Sequence, residues 1–81
     1  MLKIKNDVDL KELEKFGMVF KKDFYKEKEC YVLYVNDSYG NPFVRLSVNL
    51  HTRQIRPSTN KEAFDLLYDL INNGLVEKVD E

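Results

Sequence analysis

Two hydrophobic periods divide this chain near Pro57. Before it, Val44, Leu46, Val48 and Leu50 are separated one by one by Arg45, Ser47 and Asn49. After it, Ala63, Phe64, Leu66, Leu67, Leu70 and Ile71 recur three and four residues apart. A strand sends successive side chains to opposite faces, whereas a helix returns to the same face every third or fourth residue. Either segment would scatter its apolar set if it adopted the other's structure. The chain is thus held to a mixed fold, and its 81 residues allow one domain, 1–81.

The period-two region resolves into several strands. Met18 to Lys22 reads as the first. Cys30 to Val35, apolar on both faces, suits a central strand covered at least partly on each side. Asn36-Asp37-Ser38-Tyr39-Gly40-Asn41-Pro42 is a turn cluster. The alternating strand follows, with Val44, Leu46, Val48 and Leu50 on one face. His51-Thr52-Arg53 would then turn the chain into a return strand at Gln54-Ile55-Arg56, ended by Pro57. The pattern predicts a three- or four-stranded antiparallel meander.

A short helix over about residues 10–16 precedes it. Asp9 and Glu12 have capping-box spacing, Val8 and Leu13 can staple the entry, and Gly17 supplies a left-handed stop. The second helix has its own capping pair in Thr59 and Glu62. Gly74 closes it, with Leu75 placed to meet Leu70 across a Schellman turn. At about 100° per residue its six apolar side chains span an arc of about 160°, opposite Glu62, Asp65, Asp69 and Asn72. Leu75 to Val79 can form a short edge strand beside Leu2 to Lys5. The expected class is α+β: a short N-terminal helix, the meander, a C-terminal amphipathic helix and short terminal strands, with both helices on one sheet face.

Charge placement says more than charge total. The formal net charge of −1 gives no whole-molecule attraction to nucleic acid or to an acidic membrane. Residues 36–61 nevertheless carry Arg45, Arg53, Arg56 and Lys61 against Asp37 alone, a net +3. Residues 62–81 carry Lys78 against Glu62, Asp65, Asp69, Glu77, Asp80 and Glu81, a net −5. All three arginines therefore fall in or beside the hairpin 43–57.

Groups able to do chemistry are few. A single Cys excludes an intrachain disulfide framework and a Cys-based zinc site. Cys30 heads the most apolar run, whereas a reactive thiolate needs an electropositive, partly exposed setting, so Cys30 and the lone His51 read as a buried structural thiol and an exposed turn residue. No calcium-loop spacing appears, and Gly17, Gly40 and Gly74 stand alone rather than in a phosphate-cradling loop. Neither a catalytic set nor a cofactor or metal site is expected. The N-terminus runs directly into Lys3, Lys5 and Asp7, without the apolar core of a signal peptide. The longest apolar run, Cys30–Val35, has six residues, and a membrane-spanning helix needs about 20. A soluble cytoplasmic protein without membrane attachment is the expectation.

Two local passages resemble known families. Leu66 to Lys78 is similar to the recognition-helix-to-wing passage of winged-helix DNA-binding domains. Those domains place three helices before the wing, whereas here strands come first and the helix offers Glu62, Asp65 and Asp69 to solvent, so that assignment is rejected. Val8-Asp9-Leu10-Lys11-Glu12-Leu13-Glu14-Lys15-Phe16-Gly17, the polar-aromatic meander and Leu75-Val76-Glu77-Lys78-Val79 together resemble small uncharacterised proteins from phages and prophages of Gram-positive bacteria. That resemblance implies a setting and brings no catalytic or binding motif.

The expected function is a non-enzymatic module acting through protein contacts or self-association. The apolar residues on both faces of 30–35 exceed what two helices on one face can cover. Tyr31 or Tyr34, with Phe43, is therefore expected to form an exposed interface for a homodimer or another protein, unless Phe24 and Tyr25 fold over it. The alternative is a weak nucleic-acid contact through Arg45, Arg53 and Arg56, three arginines that would release about three counterions.

Overall fold

The computed structural model describes residues 1–24 and 28–79; Tyr25 lies outside the described residues. In chain order the elements are β1 (Leu2–Ile4), a 3-10 helix (Leu10–Phe16), β2 (Val19–Phe24), β3 (Lys28–Asn36), β4 (Pro42–Asn49), β5 (Ile55–Pro57), α1 (Lys61–Asn72) and β6 (Val76–Lys78). The fold is α+β with antiparallel sheets and a C-terminal helix. One sheet is the four-stranded meander β2-β3-β4-β5, and the other pairs β1 with β6.

The terminal strands pair as their sequences suggested. Leu2 faces Lys78 and Ile4 faces Val76, with an ion pair of 3.4 Å between the opposed Lys3 and Glu77. The small sheet joins the meander through a bridge between Lys3 and Gln54. Across the meander, Tyr31 faces Val48, Val48 faces Ile55, and Leu33 faces Leu46. These residues share one face and pack in a single apolar cluster with Leu10 and Leu13 of the 3-10 helix and Leu66, Leu67 and Leu70 of α1. Cys30 and Val32, which alternate with Tyr31 and Leu33, are also buried, so the start of β3 is enclosed on both faces.

Several local expectations are corrected. The first helix has the expected bounds but 3-10 geometry, because seven residues are too few for a cooperative α-helix to prevail. Asp9 accepts from the Lys11 N–H at 3.0 Å, while Glu12 holds Lys15 at 3.0 Å instead of completing a capping box. The cap of α1 is Asn60, not Thr59: the Asn60 amide oxygen accepts from the Ala63 N–H at 3.0 Å. Asn is the stronger cap of the two. The far end of α1 closes as expected. Leu75 N–H donates to Leu70 O at 3.1 Å and Gly74 N–H to Ile71 O at 3.0 Å, with Gly74 at φ +74°.

The alternating strand contains a register shift. Leu33 pairs with Leu46 but the next residue, Tyr34, pairs with Val44, leaving Arg45 as the extra residue of a β-bulge. Leu33 and Tyr34 point to opposite faces, so their partners Leu46 and Val44 do as well. Val44 therefore does not share the face of Leu46, Val48 and Leu50.

Candidate interaction surfaces

The three hairpin arginines occupy three different settings. Arg53 sits at the β4–β5 turn with φ +63°, and its Nη1 donates to Lys5 O at 2.8 Å and to Val8 O at 2.6 Å. Its own carbonyl accepts from the Ile4 N–H at 2.9 Å. Arg53 thus clamps the N-terminal segment onto the hairpin. Arg45 stands at the bulge, its guanidinium carbon 5.5 Å from the Phe43 ring centroid and its carbonyl accepting from Ser58 N–H at 2.7 Å. Arg56 is exposed and lies opposite Ser47 in register. No common cationic surface gathers all three.

The aromatic trio also separates. Tyr31 is only 5% exposed and belongs to the core; its hydroxyl donates to Glu14 Oε2 at 3.2 Å, and Phe20 meets it edge-on with centroids 5.8 Å apart. Tyr31 is therefore not on an exposed face. Covered by the first helix, it fills the site the sequence pattern left open. Tyr34 and Phe43 are 36% and 49% exposed. Phe43 faces Val35, one residue out of phase with Tyr34, so the two rings lie on opposite sides of the hairpin. Lys21 covers the Tyr34 ring at 5.4 Å.

Burial raises the Tyr31 phenol above its ordinary pKa of 10.0, and the nearby Glu14 carboxylate raises it further. A hydrogen bond from Lys61 to Asp65, 3.0 Å long, raises the Lys61 ammonium. Cys30 is buried, and His51 is exposed at the turn with Nε2 3.1 Å from Glu29 Oε1. Among the described residues no three His, Cys, Asp or Glu side chains gather to hold a metal. No helix among them is long and apolar enough to cross a membrane.

A different surface emerges on α1. Ala63, Leu66, Leu67 and Leu70 face the core, but Phe64, Tyr68 and Ile71 are 52%, 65% and 46% exposed. Phe64 and Ile71 thus depart from the expected core arc. At about 100° per residue the three side chains lie within an arc of about 60°, on the flank between the buried face and the polar back. The width of the apolar arc was the available signal. An arc of about 160° exceeds the roughly 100° stripe that packing on a core requires. No protein-family model matches the chain, and no curated protein or solved structure matches it.

Proposed function

We propose that this protein is a non-enzymatic cytoplasmic interaction module, of the kind encoded by phages and prophages of Gram-positive bacteria. It acts by contact with another protein or with itself. What supports this is the flank of α1: Phe64, Tyr68 and Ile71 are contiguous at i, i+4 and i+7 spacing, and each is about half exposed or more. Three large apolar side chains aligned on a regular helix form the ridge that helix-in-groove recognition uses.

Placing a photoreactive amino acid at Tyr68, in the cell that makes the protein, tests the role. Covalent protein adducts are expected from Tyr68 and not from Glu62 on the polar back of the same helix. Equal yields from the two positions would overturn the proposal. Nucleic-acid binding by the hairpin 43–57 has less behind it. With Arg53 held by two backbone carbonyls, the arginines able to face phosphate fall from three to at most two, and the salt dependence would shrink to about two counterions.

A further inference from the structure

Resting on the interaction role proposed above, we infer that the occupant of the α1 flank is a second copy of this chain, docked antiparallel through α1 about a two-fold axis at Tyr68. The spacing of the ridge is nearly palindromic. At 1.5 Å rise per residue, Phe64 lies about 6 Å before Tyr68 and Ile71 about 4.5 Å after it. A two-fold axis through Tyr68 therefore sets Tyr68 against its own copy and Phe64 against Ile71 of the other chain. Aromatic meets aliphatic at each end, and the ring pair at the centre keeps its hydroxyls at the rim.

The charges beside the ridge allow this arrangement. The acidic back of α1, with Glu62 and Asp69, points away from the ridge. Lys61, Asp65 and Asn72 border it instead, and Asp65 is already neutralised by Lys61 at 3.0 Å. In the antiparallel pair Asp65, about 4.5 Å before the axis, comes beside Asn72 of the other copy, about 6 Å from the axis on the same side. The amide donates to the carboxylate, and no like charges are opposed. A positively charged partner has no comparable support here, because the border of the ridge carries no net negative charge.

Area sets the expected strength. With Phe64 about half exposed and Tyr68 about two-thirds exposed, the ridge offers roughly 300 Å² per chain. A stable interface needs roughly 800 Å² per partner. The dimer is therefore weak and reversible, with a dissociation constant on the order of 100 µM.

Sedimentation equilibrium of the full chain, from about 5 µM to about 1 mM, brackets a constant of that size. The wild type should move from monomer toward dimer across the range. Tyr68→Asp places two carboxylates across the axis and should weaken association at least about tenfold. Asn72→Asp opposes Asp65 of the other chain and should weaken it about threefold. Both side chains are exposed, so unchanged circular dichroism is expected. A wild type that stays monomeric at the highest concentration overturns the inference, as does a dimer indifferent to Tyr68→Asp. If the wild type is monomeric while the photoreactive group at Tyr68 still captures a different protein, the inference fails and the interaction role stands. If Tyr68 captures nothing, both fail.

Discussion

The two ends of the β3–β4 hairpin are made from the same kinds of residue and meet opposite fates. At the end near β5, Tyr31 faces Val48 and Val48 faces Ile55, all buried. Beyond the bulge at Arg45, Tyr34 faces Val44 and Val35 faces Phe43, and both Tyr34 and Phe43 are exposed, as is Tyr39 at the tip. The two turns are closed by the same device. Asp37 Oδ1 accepts from the N–H groups of Tyr39 and Asn41 at 2.9 and 2.8 Å, and Asn49 Oδ1 from those of His51 and Thr52 at 2.8 and 2.9 Å. What separates the ends is long-range bonding. Only the first is tied to the N-terminal segment, by Arg53 to Lys5 and Val8 and by Tyr31 to Glu14. Local turn chemistry closes a hairpin; distant partners decide which end joins the core.

Breaking the Arg53 clamp should have the largest effect. Arg53→Ala leaves the Lys5 and Val8 carbonyls without their donor in a part-buried site and should cost about 2–4 kcal/mol in urea unfolding. Arg53→Gly loses the same hydrogen bonds but suits the φ of +63°, so it should recover about 1 kcal/mol relative to alanine. A cost for Arg53→Ala below about 0.5 kcal/mol would mean that the clamp does not distinguish the two ends.

Tyr31 tests the same end by pH. Its phenol has a higher pKa in the folded chain than the unfolded value near 10.0. The folded state then holds the proton more tightly, so this stabilisation is complete below pH 10.0 and is lost as pH rises through the higher folded value. Tyr31→Phe should cost about 1.5 kcal/mol at neutral pH through the bond to Glu14. It should also remove this part of the alkaline decline. Urea midpoints for both proteins at neutral pH and above the ordinary phenol pKa provide the check. Parallel curves would place the Tyr31 hydroxyl in an environment no different from water.

Much of this architecture was legible from periodicity and caps. The alternation around Leu46 and Val48, the Schellman close at Gly74 and the pairing of Leu2–Ile4 with Val76–Lys78 all express local patterns that survive into the fold. The bulge was not legible, because one unpaired residue at Arg45 shifts the ladder while apolar and polar residues go on alternating along the strand. The settings of Arg53 and Tyr31 were hidden for a related reason. Their partners are Lys5, Val8 and Glu14, and neither carbonyl acceptor nor long-range contact leaves a mark on spacing. On α1 the pattern over-assigned the core. Helical period cannot tell a side chain facing the sheet from one just beyond its edge, as Phe64 and Ile71 are.

The smallest effect lies in the turns, where the two ends can be compared residue for residue. Asp37→Ala and Asn49→Ala each remove one side-chain oxygen that accepts two backbone N–H groups. At the far turn the released N–H groups of Tyr39 and Asn41 meet water, so the global cost should stay below about 0.5 kcal/mol. Amide exchange should quicken only around residues 37–41. At the near turn Asn49 also fixes the backbone that carries Arg53, whose N–H donates to Asn49 O at 2.8 Å. Loosening it disturbs the clamp, and Asn49→Ala should cost about 1 kcal/mol, with faster exchange reaching Ile4. Equal costs for the two substitutions would show that the turns themselves, and not their connection to the N-terminal segment, set the stability of each end.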